Sequence, residues 1–170
     1  MWVSIAAIVI FCLSFFGGLK DGAVKTFFSL LGLVIAIPLT GFSYHLLATV
    51  LAFLPGTNWE NFFGFFITLC IISVILHFIF SLPRKLIQKV WKKGLLFRLL
   101  GGVLNLIGAG IGMSVFTLVL VAYPIIDWLE RAVADSGVLV WLVSHLGFVP
   151  AMLPEVFRNA ASLLTGGPVI

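Results

Sequence analysis

The segment PRKLIQKVWKKGLLFR, residues 83–98, contains six of the ten lysines and arginines of the chain and no acidic residue. Long segments without Lys, Arg, Asp or Glu lie on both sides of it, residues 62–82 before it and 99–123 after it. Cationic side chains are retained in cytoplasmic loops because moving them across a bilayer is costly. The basic segment therefore predicts a cytoplasmic loop between two membrane-spanning helices.

The composition indicates that the whole chain belongs in a membrane. Its 170 residues are 62% hydrophobic and 9% charged, with a mean hydropathy of +1.25. Soluble domains carry about 25% charged residues, so this chain cannot cover a water-facing surface. Its length allows a few helices of about 20 residues each. We therefore predict an all-α fold, a polytopic integral membrane bundle, and exclude a large soluble domain.

Charges and prolines divide residues 1–124 into four predicted transmembrane helices. The spans cover residues 2–19, 27–54, 62–82 and 99–123. Lys20 and Asp21 end the first span, and Pro124 ends the fourth. The second span is longer than a bilayer requires and contains Pro38, so we expect it to be tilted or kinked.

The alternation of basic and non-basic loops predicts the orientation. Lys20 and Lys25 follow the first span, no basic residue follows the second, and the basic segment follows the third. The first and third loops lie on one side of the membrane if every predicted span crosses it. We therefore expect these two loops in the cytoplasm and both the N-terminus and the C-terminal region outside.

Residues 84–97 are predicted to form an interfacial helix with one apolar and one basic face. The basic side chains expected to face anionic lipid are Arg84, Lys85, Lys89, Lys92 and Lys93. Each would contribute on the order of 1 kcal/mol near the surface. A simpler interpretation is that they determine topology only, since cytoplasmic loops in general show this bias. Lipid sensing and calmodulin-like docking are further alternatives.

Residues 125–170 are predicted to form short helices that are amphipathic and lie on the membrane surface or fold back on the bundle. Within them, residues 138–153 are apolar but short for a crossing and contain Gly147 and Pro150. A fifth span there is the alternative. A weak amphipathic helix is predicted from residue 155 to 164.

Small residues recur on one face of two predicted spans. The fourth span has Gly101, Asn105, Gly108 and Gly112, and the second has Ser29, Gly32, Ala36 and Thr40. Membrane helices associate where small residues let backbones approach, so we expect these faces to pack against each other or against another copy of the chain. A substrate groove is the alternative. Asn105 should form a hydrogen bond across an interface or line a wet space, because an unpaired amide is costly in hydrocarbon.

Few residues are candidates for catalysis. Cys70, Ser73 and His77 share one face of the third span, but the Ser–His pair lacks an acid, so interhelical hydrogen bonding is the better explanation. Cys12 and Cys70 have no spaced partners that would make a disulfide or a metal site. No nucleotide-binding or zinc-hydrolase motif occurs. We expect no enzymatic activity, no cofactor, no metal and no nucleic-acid partner.

Two glycine-rich segments resemble the motifs of the colicin V production protein (CvpA) family of small bacterial inner-membrane proteins. They are GLKDGAVK at residues 18–25, followed by SLLG at 29–32, and RLLGG at 98–102. The motif positions that match are Gly18, Gly22, Lys25, Ser29, Gly32, Arg98 and Gly101. The chain departs from the family pattern at Thr26, Phe97, Asn105, Gly108 and Ala109, where the family has Glu, Asp, Gly, Arg and Gly.

The resemblance implies a multi-pass protein of the bacterial inner membrane that is connected with colicin V production and export. Because the chain has many packing features and no catalytic constellation, we expect a non-enzymatic protein that supports colicin V production or export and envelope maintenance. We expect it to assemble as a homo-oligomer or with other envelope proteins. The departures remove charges that could pair across the bundle. A transporter or channel component is the alternative, with Asn105, Lys25 and Arg98 along a narrow polar path.

Overall fold

The computed structural model describes residues 2–53, 56–90 and 94–166, and none of these residues lies in a strand. The long helices are α1 (Trp2–Val50), α2 (Thr57–Val90) and α3 (Leu95–Ala122). All three are long and apolar enough to cross a membrane. The all-α prediction is confirmed, but the prediction of four separate spans is not, because the first two predicted spans are joined in α1.

The helix α1 is broken at Gly22, where the backbone has φ 78° and ψ 163°. Glycine adopts this conformation readily, whereas a Cβ atom makes it strained. The break lies in the polar turn that the sequence predicts between the first two spans. We call residues 2–21 the N-arm and residues 23–50 the C-arm.

The two arms run along α3 in opposite directions. In the N-arm, residue numbers fall as those of α3 rise, with Gly18 against Gly101 and Ser14 against Asn105. In the C-arm both rise together, with Leu30 beside Gly108 and Tyr44 bonded to Tyr123. The chain therefore reverses at Gly22, and α1 is a helical hairpin rather than one straight rod.

The ends of α2 and α3 correct the predicted interfacial helix over residues 84–97. The helix α2 continues through Pro83 to Val90, and α3 already begins at Leu95. Residues 84–90 thus prolong α2 instead of forming a separate element, since Lys, Leu and Gln all favour the helical conformation. The side chains of Lys85 and Lys89, and the whole of Lys92 and Lys93, lie outside the described residues.

Four short helices follow α3 and fold back on the bundle. They are α4 (Asp127–Ala134), α5 (Gly137–His145), α6 (Phe148–Ala151) and α7 (Glu155–Thr165). Their apolar residues, including Leu142, Val143 and Phe157, are buried in one core with α1 and α3. With nine residues, α5 is about 13 Å long and cannot cross a bilayer of about 30 Å, so the fifth-span alternative has no helix to support it.

Large, fully buried side chains, among them Tyr44, Phe65 and Phe157, lie at the end of the bundle where α3 finishes, which we call the Tyr123 end. There the hydroxyls of Tyr44 and Tyr123 are 2.6 Å apart, and Phe65 and Phe157 pack against Tyr44. At the opposite end, which we call the Gly22 end, α2 packs on the C-arm through Phe28 and Phe80 and has little contact with α3. This arrangement leaves a space between α2 and α3 at the Gly22 end.

Candidate functional site

A cavity of about 380 Å³ occupies that space and is bounded by both arms of α1, by α2 and by α3. Its apolar walls come from residues such as Phe28, Leu33 and Phe80. Its polar side chains come from all three long helices and are Ser14, Thr26, Ser29, Ser73, His77, Arg84 and Asn105. Several polar groups thus converge inside a bundle that is otherwise strongly apolar.

The polar side of α2 follows from helical periodicity. Ser73, His77 and Arg84 are spaced four and seven residues apart, which places them on one face of a continuous helix. The sequence places Ser73 and His77 together but assigns Arg84 to a lipid-facing loop. In the structure Arg84 lies in α2 instead of a loop, is partly buried and lines the cavity, while its contact with lipid stays a prediction. Extending the helical periodicity of the third predicted span past Pro83 would have placed Arg84 on the same face as Ser73 and His77.

Asn105 connects α3 to the N-arm at the cavity wall. Its Nδ2 donates a hydrogen bond of 2.5 Å to the carbonyl oxygen of Ser14. The hydroxyl of Thr26 donates to the carbonyl oxygen of Gly22 at 3.0 Å. These two bonds satisfy buried polar groups beside the hairpin turn and hold the wall in place.

The closest helix contact in this region is made by Gly18, Gly22 and Gly101. A Cβ atom on Gly18 would overlap the carbonyl oxygen of Gly101, and one on Gly101 would lie 2.7 Å from the carbonyl carbon of Gly22. Only glycine permits this approach of the two backbones. The glycine face of α3 therefore begins against the N-arm, whereas the expected partners were the small residues of the second predicted span or another copy of the chain.

The other predicted packing residues lie in looser surroundings. A Cβ atom on Gly32 would be 3.7 Å from Phe80, and one on Gly108 would be 3.6 Å from Leu30, which are ordinary contact distances. One on Gly112 would meet nothing within 4 Å. Among the predicted packing residues, close backbone contact thus involves Gly18, Gly22 and Gly101 rather than the whole predicted strip.

The guanidinium of Arg84 is the charged group of the cavity. Its Nε atom is buried and has no hydrogen-bond partner among the described residues. None of the described residues that line the cavity is acidic. The pair formed by Lys25 and Asp21, at 2.6 Å, is exposed and lies outside the cavity. Arg84 therefore brings an uncompensated positive charge to the cavity.

The structure does not assemble the predicted polar path of Asn105, Lys25 and Arg98. Asn105 lines the cavity, while Lys25 is engaged with Asp21. Arg98 lines a separate hollow of about 740 Å³ together with Lys20 and apolar residues of the N-arm and α3. The three residues thus occupy three different surroundings.

Ser73 and His77 line the same cavity, as a catalytic pair would require. A third, acidic member is not among the described residues around them, so the arrangement lacks the group that orients the histidine in a triad. Among the described residues, no group of three His, Cys, Asp or Glu side chains could hold a metal ion. Cys12 and Cys70 are free and exposed.

Comparison with known proteins identifies one family. No curated protein and no solved structure matches the chain. The family model described as colicin V production protein matches residues 3–147, which include the three long helices and reach through α5. The chain therefore belongs to the colicin V production protein family.

Proposed function

We propose that this chain is a non-enzymatic protein of the bacterial inner membrane that supports colicin V production or export and envelope maintenance. The link to colicin V production comes from the family. The observation that carries a structural role is the contact of Gly18 and Gly22 with Gly101, which brings the N-arm and the turn at Gly22 onto α3. A membrane helix pair held by glycines is a packing device, and it performs no chemistry of its own.

We further propose that the chain crosses the membrane four times, by the N-arm, the C-arm, α2 and α3. At 1.5 Å per residue the N-arm is about 30 Å long, which matches the hydrocarbon core. Lys20 and Lys25 flank the turn at Gly22, and Arg84 and Arg98 lie near the same end of the bundle. Cations concentrated at one end favour a cytoplasmic Gly22 end, with both termini outside.

We also propose that several copies of the chain assemble, through glycines that make no close contact within the chain itself. Gly18 and Gly101 are occupied by their mutual contact, whereas Gly112 has open space beside it. A second copy or another envelope protein could approach α3 there. Blue-native electrophoresis in membranes should show an oligomer that Gly112→Leu weakens. A monomer unaffected by Gly112→Leu contradicts assembly through this face.

The topology is tested by cysteine accessibility in a chain with Cys12→Ala and Cys70→Ala. Lys20→Cys should react only after the membrane is permeabilised, and Thr57→Cys and Asp127→Cys should react with an impermeant reagent in intact cells. Lys20, Thr57 and Asp127 are all exposed, so burial does not interfere with labelling. Reaction of Lys20→Cys and Thr57→Cys from the same side would contradict the four crossings.

The role in colicin V production is tested by deletion and complementation in a strain that makes colicin V. Loss of the chain should reduce the colicin released into the medium, and the wild-type chain should restore it. Ser73→Ala should restore most of the release, because the proposed role involves no nucleophile. Normal release after deletion contradicts the proposed role, and a hundredfold loss with a stably folded Ser73→Ala contradicts its non-enzymatic character.

A transporter or channel component is the second candidate, and the polar cavity is the observation that favours it. Polar side chains inside a membrane bundle commonly mark the path of a solute or an ion. Vesicles reconstituted with the purified chain should then leak chloride or phosphate, and His77→Phe should reduce the leak. Vesicles that remain tight to both ions would argue against this candidate.

A further inference from the structure

We propose that the polar cavity at the Gly22 end binds a phosphate group, with the guanidinium of Arg84 as its main anchor. The bound molecule would be either the headgroup of an anionic lipid or a small soluble phosphate compound. This inference concerns ligand binding alone, and it holds whether or not the chain takes part in colicin V production.

Arg84 brings a positive charge to the cavity. Arginine keeps its proton in proteins and presents five N–H donors in a planar fork. The Nε atom of Arg84 is buried and unpartnered within the described part of the chain, and no acidic side chain lines the cavity there. The residue as a whole is partly buried, and a buried donor left without a partner is unfavourable. An anion in the cavity would supply the missing partner.

Other hydrogen-bond donors line the same cavity as Arg84. Ser29, Ser73 and His77 line the cavity, and among the described residues none of the three has a hydrogen-bond partner. The two hydroxyls, the imidazole and the guanidinium line one cavity, so together they offer donors to a phosphate and to polar atoms of the group attached to it. A tetrahedral phosphate offers such oxygens, and arginine binds it through two parallel bonds. A carboxylate would leave more of these donors unused.

A ligand can reach the cavity from outside the bundle. Ser29 and His77 are exposed, so the cavity is open on the side where α2 and α3 separate. At about 380 Å³ it is larger than a phosphate ion requires, which leaves room for the group esterified to it. With the Gly22 end in the cytoplasm, the opening would lie near the inner leaflet. A lipid phosphate could enter sideways and a soluble phosphate from the cytoplasm.

The test uses the full chain, purified in a non-ionic detergent and stripped of lipid. In the first titration, phosphatidylglycerol is added and its binding is followed by native mass spectrometry, with diacylglycerol as a matched lipid that lacks phosphate. In the second titration, inorganic phosphate is added and the unfolding temperature is measured, with chloride at equal ionic strength as the control. We expect the wild-type chain to bind at least one of the two phosphate probes in preference to its control.

Arg84→Gln should weaken that binding at least tenfold, and Arg84→Lys should weaken it less because the charge remains. Arg131→Gln is the matched control, since Arg131 is an exposed arginine remote from the cavity, and it should change binding less than twofold. If Arg84→Gln fails to fold by circular dichroism, His77→Phe replaces it with an expected loss of at least threefold.

The two titrations also distinguish a lipid headgroup from a soluble phosphate compound as the ligand. Binding of phosphatidylglycerol without a response to inorganic phosphate identifies a lipid headgroup site, and a response to inorganic phosphate identifies a soluble ligand. The proposal is overturned if neither probe binds the wild-type chain, or if a folded Arg84→Gln binds as tightly as Arg131→Gln. Release of colicin V is not a readout here, so failure of this proposal leaves the proposed function untouched.

Discussion

The carbonyl oxygen of Gly101 is close enough to Gly18 to overlap a Cβ atom placed there, and the carbonyl oxygen of Gly18 would overlap a Cβ atom on Gly101 in the same way. The two backbones are therefore in direct contact, and the contact is reciprocal. Gly22, where the chain reverses, touches the same residue of α3. The hairpin of α1 and its packing on α3 thus depend on one cluster of three glycines.

Gly18→Ala and Gly101→Ala should each destabilise the protein by about 2 kcal/mol, because the added methyl meets backbone atoms that cannot rotate away. Gly112→Ala is the matched control, since its methyl meets nothing within 4 Å. It should leave stability unchanged or raise it by about 0.5–1 kcal/mol through the ordinary helix preference of alanine. Unfolding in detergent, followed by circular dichroism, checks the three variants. Equal stability of all three would contradict the glycine contact.

Gly22→Ala should also destabilise the protein, but for a conformational reason. An added Cβ atom would meet nothing within 4 Å there, so no clash contributes. The φ of 78° with ψ of 163° is a region that residues other than glycine occupy at a cost of about 1–3 kcal/mol. The same unfolding measurement applies, with Gly112→Ala again as the control. A neutral Gly22→Ala would mean that the chain does not reverse at this residue.

Asn105→Ala should cost about 1 kcal/mol, since it removes the hydrogen bond to the carbonyl oxygen of Ser14 and membrane bonds of this kind are of that size. Asn58→Ala is a useful comparison because Asn58 also donates an amide hydrogen, to the carbonyl oxygen of Pro124 at 3.1 Å, but from an exposed position. Asn58→Ala should reduce stability less than Asn105→Ala does, because water replaces the lost hydrogen-bond partner. Chemical unfolding of both variants measures the two losses of stability. A larger loss for Asn58→Ala than for Asn105→Ala would contradict the prediction.

Tyr44→Phe and Tyr123→Phe should each destabilise the protein by about 1–2 kcal/mol, because each leaves the partner hydroxyl without its bond in a buried site. The double variant should cost less than the sum of the two, since both single changes break the same bond. A double-mutant cycle on unfolding free energies measures this coupling. Strict additivity would show that the two hydroxyls act independently.

The sequence was sufficient for the fold class and for the break between the first two apolar segments. Burial of apolar side chains in lipid is roughly additive over residues, so composition predicts a membrane bundle without knowledge of contacts. The turn at residues 20–25 carries charges and Gly22, and the chain does reverse there. The helix ends were less predictable, because Pro83 and the basic residues after it continue α2 where they were expected to stop it.

The candidate site was predictable only in pieces. Ser73 and His77 share a helix face by spacing alone, and Asn105 is conspicuous as an amide in an apolar span. Their meeting with Ser14 and Arg84 around one cavity depends on which helices are neighbours, and residues 14 and 105 are far apart in the chain.

Hydropathy and charge, which are properties of single residues and short segments, therefore specify that this chain enters a membrane and where it reverses. Which glycines touch, and which polar groups face a common space, was decided by the approach of α1 to α3 and by the separation of α2 from α3. The physical reason is that backbone contact and charge compensation act between atoms brought together from distant segments. A linear pattern of residues does not contain those distances.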